Sequence, residues 1–115
     1  MRIKIISMAM AAMVLASCDV NIRAGRPPVE YLQTEEFAAL NYPFSEAVRV
    51  GNMLYLSGQI GTLPNSDEVI GGGIGPETRQ TMENIRDVLE RYGSSMDRVV
   101  KCLCMLADIG EWGEM

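Results

Sequence analysis

The chain predicts an α+β fold, and three segments carry that expectation. Two apolar runs, Ala47 to Val50 and Met53 to Leu56, flank Gly51-Asn52 and read as a β-hairpin. Pro76 to Tyr92 repeats apolar residues at helical spacing. Arg98 to Ala107 is a third apolar run, of strand length and bounded by polar residues. Hairpin, loop, helix, strand and the start of a second helix, in that order, place helices on one face of a sheet.

The first forty residues read differently. Arg2 and Lys4 precede a mostly apolar run from Ile5 to Ala16, the layout of a secretory signal over residues 1–17. The run is too short to span a bilayer as a helix. Its end, Leu15-Ala16-Ser17-Cys18, resembles the lipobox of bacterial lipoproteins, where cleavage before the cysteine is coupled to acylation of its sulfur. That resemblance makes Cys18 a lipidated N-terminus; a plain secretory signal is the alternative. Several acyl chains on one residue hold a protein firmly at a membrane, whereas one chain is marginal. The expected location is therefore the cell envelope, on the periplasmic side, lipid-anchored. Asp19, directly after the cysteine, resembles an inner-membrane retention signal. Residues 18–40 are polar and mixed and contain Pro27-Pro28, so they read as a tether. Glu35 to Leu40 has the length of a single helical turn only. The domain proper is placed at residues 41–115.

Within that domain, Gly51-Asn52 suits the positive φ angles of a two-residue hairpin turn. Thr62 to Gly75 is a loop, and its run Gly71-Gly72-Gly73-Ile74-Gly75 lacks the Gly-Lys-Ser/Thr ending of a phosphate-binding loop. Pro76 fits the first position of the helix, where its missing N–H costs nothing. Thr78, Met82, Ile85, Leu89 and Tyr92 form one stripe with Val88 beside it, opposite Arg79, Glu83, Arg86, Glu90 and Arg91. Glu83/Arg86 and Arg86/Glu90 are spaced to pair on the surface. Gly93 suits the left-handed helix end. The strand from Arg98 is apolar on both faces except at Lys101, and such a strand needs cover on both. Cys102 and Cys104 share one of its faces; their Cβ vectors run nearly parallel, which disfavours a bridge, so they read as buried packing thiols. Asp108-Ile109-Gly110 leads into the first turn of a second helix, Glu111 to Met115.

Charge and composition exclude several chemistries. The formal charge is −5, and removal of residues 1–17 takes Arg2 and Lys4 with it. No basic patch is visible, so nucleic acid is not an expected partner. There is no histidine. His-based triads and His metal ligands are thereby ruled out, and no second cysteine pair completes a metal site. Neither a metal nor an organic cofactor is expected.

The order of elements and the stretch Pro43-Phe44-Ser45-Glu46-Ala47 to Leu56-Ser57-Gly58-Gln59-Ile60-Gly61 resemble the RidA (YjgF) family. The resemblance covers about residues 41 to 115. It implies a chorismate-mutase-like α+β sandwich with helices on one face of a mixed sheet, assembled as a homotrimer with clefts between subunits. It also implies hydrolysis of reactive enamines and imines to ketone and ammonia. Ser57 and Gly58 then correspond to the substrate-facing turn, and Phe44 to an aromatic over the cleft, here without a tyrosine hydroxyl. The default for Ser57 as a strand-end hydroxyl is a bond to local backbone. Gln80 and Asn84 recur in the family and read as structural. The arginine that holds the substrate carboxylate, in a Pro-Ala-Arg strand, and the glutamate that positions water have no match among residues 1–115. Both are expected in sequence beyond Met115, where the second helix would continue, and the 115-residue chain by itself is expected to be inactive. A non-catalytic binder of small ligands on the same scaffold is the alternative.

Overall fold

The computed structural model describes residues 25–64 and 66–115. Cys18 and the signal-like segment lie outside the described residues. Among the described residues three strands and two α-helices follow in order: β1 (Val29–Leu32), α1 (Glu35–Ala39), β2 (Ala47–Val50), β3 (Met53–Leu56) and α2 (Ile74–Arg91). The three strands form one antiparallel sheet in the order β1-β2-β3. The sheet is thus antiparallel among the described residues, where a mixed sheet was expected, because the run from Arg98 to Ala107, read as a further strand, pairs with none of the three.

The hairpin forms as the two apolar runs around Gly51-Asn52 predict, with Ala47 opposite Leu56 and Val50 opposite Met53. Of the two turn residues only Gly51 takes a positive φ, +56°. That is the requirement of a II′ turn, not of the I′ turn, which needs positive φ at both. β1 is the larger surprise. Val29-Glu30-Tyr31-Leu32 pairs with β2 from Val29↔Val50 to Leu32↔Ala47, inside the segment read as a tether. Its β-forming residues begin directly after Pro28, whose carbonyl accepts from the Gly51 amide at 3.2 Å, so the prolines lead into the strand without interrupting it. α1 follows, capped by Thr34, whose hydroxyl oxygen accepts from the Phe37 amide at 3.1 Å.

α2 begins two residues before Pro76, with Gly73 at φ +87° as its cap. Pro76 is therefore the third helical residue, still within the first turn, where no intrahelical donor is lost. The other end closes as the sequence indicates. Gly93 sits at φ +77°. Its amide bonds the Glu90 carbonyl at 3.1 Å and the Ser94 amide bonds the Leu89 carbonyl at 2.8 Å, the paired bonds of a Schellman motif. The buried apolar residues are Ala47 from the sheet and Val88 and Leu89 from the helix. Met82, placed on the same stripe, is 39 % exposed.

The apolar run from Arg98 does not form a strand. A 3-10 turn spans Met96–Arg98, and no ladder is present from Val99 to Ala107. Val100, Leu103 and Met105 are among the most exposed apolar side chains, and Cys102 and Cys104 are exposed free thiols. The buried-thiol reading is corrected accordingly. A strand consists of its pairings, and an apolar run with no adjacent strand gains nothing from its β-propensity. The second helix likewise appears as a 3-10 segment, Ile109–Gly113, opened by the Gly110 amide donating to Asp108 Oδ1 at 2.8 Å.

Candidate functional site

The hairpin ladder extends one pair beyond β3 and ends at the Ser57-Gly58-Gln59 turn. The Ser57 amide donates to the Glu46 carbonyl at 3.1 Å, and the Ser57 hydroxyl donates to the same oxygen at 3.0 Å. The hydroxyl proton is thereby held by backbone, and no histidine exists to withdraw it. Ser57 can accept a hydrogen bond from a ligand; as a nucleophile it has no histidine in this chain to activate it. Gly58 is exposed, and a Cβ built on it would meet nothing within 4 Å, so a ligand can approach its peptide closely.

Immediately after the turn the chain is fastened to α2. A Cβ on Gly61 would lie 2.7 Å from the Glu77 carbonyl oxygen, so strand end and helix touch backbone to backbone there. Asn84 Nδ2 donates to the carbonyls of Ile60 and Thr62, each at 2.9 Å. Gln80 Nε2 donates to Asn84 Oδ1 at 3.0 Å and fixes the orientation of that amide. These two helix residues act structurally, as the sequence indicates, by holding the turn.

Phe44 lies two residues before Glu46, at most about 7 Å of chain away, so it stands at the same end of the hairpin as Ser57. It is not isolated. Tyr42 stacks on it with ring centroids 5.3 Å apart and planes 10° apart, and Phe37 meets both rings edge-on at 5.7 and 6.0 Å. Both rings of the stack are about half exposed. Asn41, at φ +54°, turns the chain from α1 into this group. Phe44 was singled out through the family resemblance alone, and nothing in that motif points to Phe37 or Tyr42.

A second group was missed. Glu46 is 6 % exposed, the only buried charged residue among those described. Its Oε1 accepts from Arg91 and its Oε2 from the Tyr92 hydroxyl at 2.6 Å. Arg49 Nη2 donates to the Tyr92 carbonyl at 2.7 Å. Arg49 Nε pairs with Glu30 at 3.6 Å, an ionic contact too long for a hydrogen bond. Arg91, placed by periodicity on the solvent face, turns back toward the sheet; of the two expected helix pairs, Glu83 with Arg86 is present. The one trace of the group in the sequence is an acidic residue in phase with Val48 and Val50.

Burial, then the hydrogen bond to Glu46, raises the Tyr92 hydroxyl from 10.0 to about 12. The neutral phenol is the favoured form in the fold. Its contribution to stability is complete below pH 10 and is lost as pH rises from 10 through about 12. Tyr92→Phe is expected to flatten the fall in thermal stability over that interval and to remove the last tyrosinate step from the near-ultraviolet titration. A titration unchanged by the substitution refutes this assignment. Among the described residues no group of three or more His, Cys, Asp or Glu side chains is placed to hold a metal.

Several known proteins are similar to this chain. The family model for endoribonuclease L-PSP matches residues 34–115. A RutC family protein of Pyrococcus abyssi is 35% identical over 86 residues, 75% of this chain and 68% of its own length. The 2-iminobutanoate/2-iminopropanoate deaminases of Mus musculus and Homo sapiens are 34% and 39% identical, over 71% and 61% of this chain and 61% and 51% of their own lengths. The chain thus spans about half to two thirds of the curated relatives it matches. A crystal structure from Entamoeba histolytica described as an endoribonuclease L-PSP superposes with a TM-score of 0.60 at 42% identity, covering 64% of this chain and 58% of that one. With the hairpin, its serine-glycine turn and the helix that holds it all falling inside the matched span, the chain belongs to the endoribonuclease L-PSP family, also called RidA or YjgF.

Proposed function

We propose that the complete protein hydrolyses reactive enamine and imine intermediates, with small 2-imino acids as substrates. The observation that carries this reading is the Ser57-Gly58-Gln59 turn, exposed at Gly58 and fastened to α2 by Gly61 and Asn84, within a chain whose relatives include named 2-iminobutanoate/2-iminopropanoate deaminases. Water adds to the imine carbon, the C–N bond of the resulting carbinolamine breaks, and ketone and ammonia leave. The sequence involves no net redox change and draws on no cofactor. Ser57 accepts a hydrogen bond from the substrate, Gly58 admits it to the backbone, and Phe44 with its stacked Tyr42 packs against its apolar part. Neither the Pro-Ala-Arg arginine nor the water-positioning glutamate of the family is found in residues 1–115. Assembly as a homotrimer is part of the same reading, supported by the exposed apolar run at Val100, Leu103 and Met105.

The test supplies 2-iminobutanoate to the complete gene product and follows ammonia release. Acceleration over buffer is expected, and its loss in part on Ser57→Ala. No acceleration defeats the catalytic reading. A second reading, a non-catalytic binder of the same small molecules, draws on the commitment of the Ser57 proton to a backbone carbonyl. It predicts saturable binding of 2-oxobutanoate without turnover.

The location proposed for the protein is the periplasmic side of the cell envelope, with Cys18 acylated. Among the described residues no helix is long and apolar enough to cross a membrane. Cys18→Ser is expected to move the protein from the membrane fraction to the soluble one. An unchanged distribution, or a mature N-terminus without lipid by mass spectrometry, eliminates the anchor.

A further inference from the structure

The Glu46 carboxylate has no part in the chemistry just described, yet it is the one charged group taken out of water among the described residues. Burying a carboxylate is costly, and an ion pair seldom stabilises more than a well-packed apolar pair would. Both oxygens are occupied, one by Arg91 and one by Tyr92, so it is not free to act as a base. What distinguishes Glu46 is the other end of the residue. Its main-chain carbonyl is the single acceptor for both the amide and the hydroxyl of Ser57. Arg91 and Tyr92 stand at the closed end of α2, and the Tyr92 carbonyl is in turn held by Arg49.

We propose that Glu46 is a positioning residue for Ser57: its side chain, clamped between Arg91 and Tyr92, fixes the peptide whose carbonyl orients the Ser57 hydroxyl toward the substrate turn. Without the clamp that carbonyl is free to tilt. The Ser57 hydroxyl would then lose the direction that its bond to this carbonyl fixes. This inference rests on the proposed role of the Ser57 turn. It differs from a stabilising role because the effect of Glu46 on the reaction passes through one atom.

A double-mutant cycle in the complete gene product reads that path. Glu46→Ala and Ser57→Ala are each expected to lower kcat/KM for 2-iminobutanoate by about 10- to 100-fold, the scale of a misplaced contact. The double variant is expected to be no slower than Ser57→Ala alone, since the two act as a unit. Glu46→Gln can still accept from Arg91 through its Oε1 and donate through its Nε2 to a Tyr92 hydroxyl turned to accept, and it is expected to restore the rate to within about threefold of the parent. Independent, multiplicative losses, or no restoration by Gln, overturn the proposal. Amide hydrogen exchange supplies the arm that does not depend on turnover. In Glu46→Ala the Ser57 amide is expected to exchange at least about tenfold faster while that of Ile85 in α2 keeps its rate. Equal acceleration at both sites, or none at Ser57, overturns the proposal. Should every form lack imine hydrolysis, the functional reading fails and the exchange result alone decides whether Glu46 holds Ser57.

Discussion

Replacing Gly61 by alanine is expected to destabilise the fold by about 3 kcal/mol, at the upper end of what overpacking costs. The added Cβ would lie 2.7, 3.0 and 3.2 Å from the carbonyl oxygen, Cα and carbonyl carbon of Glu77. All three are helix backbone, which cannot rotate aside as a side chain can. Gly61 cannot retreat either, because its own carbonyl accepts from the Ile70 amide at 2.7 Å and its neighbours Ile60 and Thr62 are held by Asn84. Such a loss is a large share of the few kcal/mol that stabilise a small domain. The comparison is Gly58→Ala, where nothing lies within 4 Å of the new methyl and a change within about 0.5 kcal/mol is expected. Urea unfolding of the two variants beside the parent checks the difference. Equal midpoints for all three would show that the helix yields at Glu77 and that the contact does not govern stability.

Why Gly61 and not Gly58 carries the packing was not readable from the chain, since both follow the same strand. The hairpin was legible from two apolar runs flanking a turn glycine, Gly51, and α2 from apolar residues at helical spacing closed by Gly93, both glycines at positive φ. β1 escaped notice because four residues beside two prolines and several charges offer too short a pattern; its partner strand β2 decides its conformation. The run from Val99 to Ala107 shows the converse. Strong β-propensity there has no adjacent strand to act on, so the segment stays exposed. The site divides in the same way. Ser57, Gly58 and Phe44 were found by motif, and the structure sets Ser57 and Phe44 at one end of the hairpin. Tyr42 and Phe37 join Phe44 only because Asn41 turns the chain through a left-handed conformation. Glu46 and Arg91, 45 positions apart, form a pair that no local pattern announces.

Asn84→Ala is expected to cost about 2 kcal/mol and to loosen the segment after β3 that carries Ser57, the second large effect. A polar residue at mid-helix looks the same in sequence whether it meets water or a loop, and here it meets a loop. One Nδ2 group satisfies both the Ile60 and the Thr62 carbonyls, and the Oδ1 receives Gln80. Truncation strands the Thr62 carbonyl in a half-buried place, and an unpaired group of that kind costs about 1 to 3 kcal/mol. The Ile60 carbonyl, nearer the surface, can take water and adds less. Asn84→Asp is expected to be worse than Ala, because a carboxylate has no donor and faces two carbonyl oxygens. Gln80→Ala only frees the amide to turn, and about 1 kcal/mol is expected. Combining Asn84→Ala with Gly61→Ala should give less than the sum of the two losses, since both open the same seam between the strand end and α2. The loosening reaches Ser57, three residues before Ile60. Under the proposed imine hydrolysis, Asn84→Ala should therefore raise KM for 2-iminobutanoate more than it lowers kcat. Thermal unfolding and steady-state kinetics on the four variants test this together, and an Asn84→Asp protein as stable as the parent would contradict the hydrogen-bond assignment.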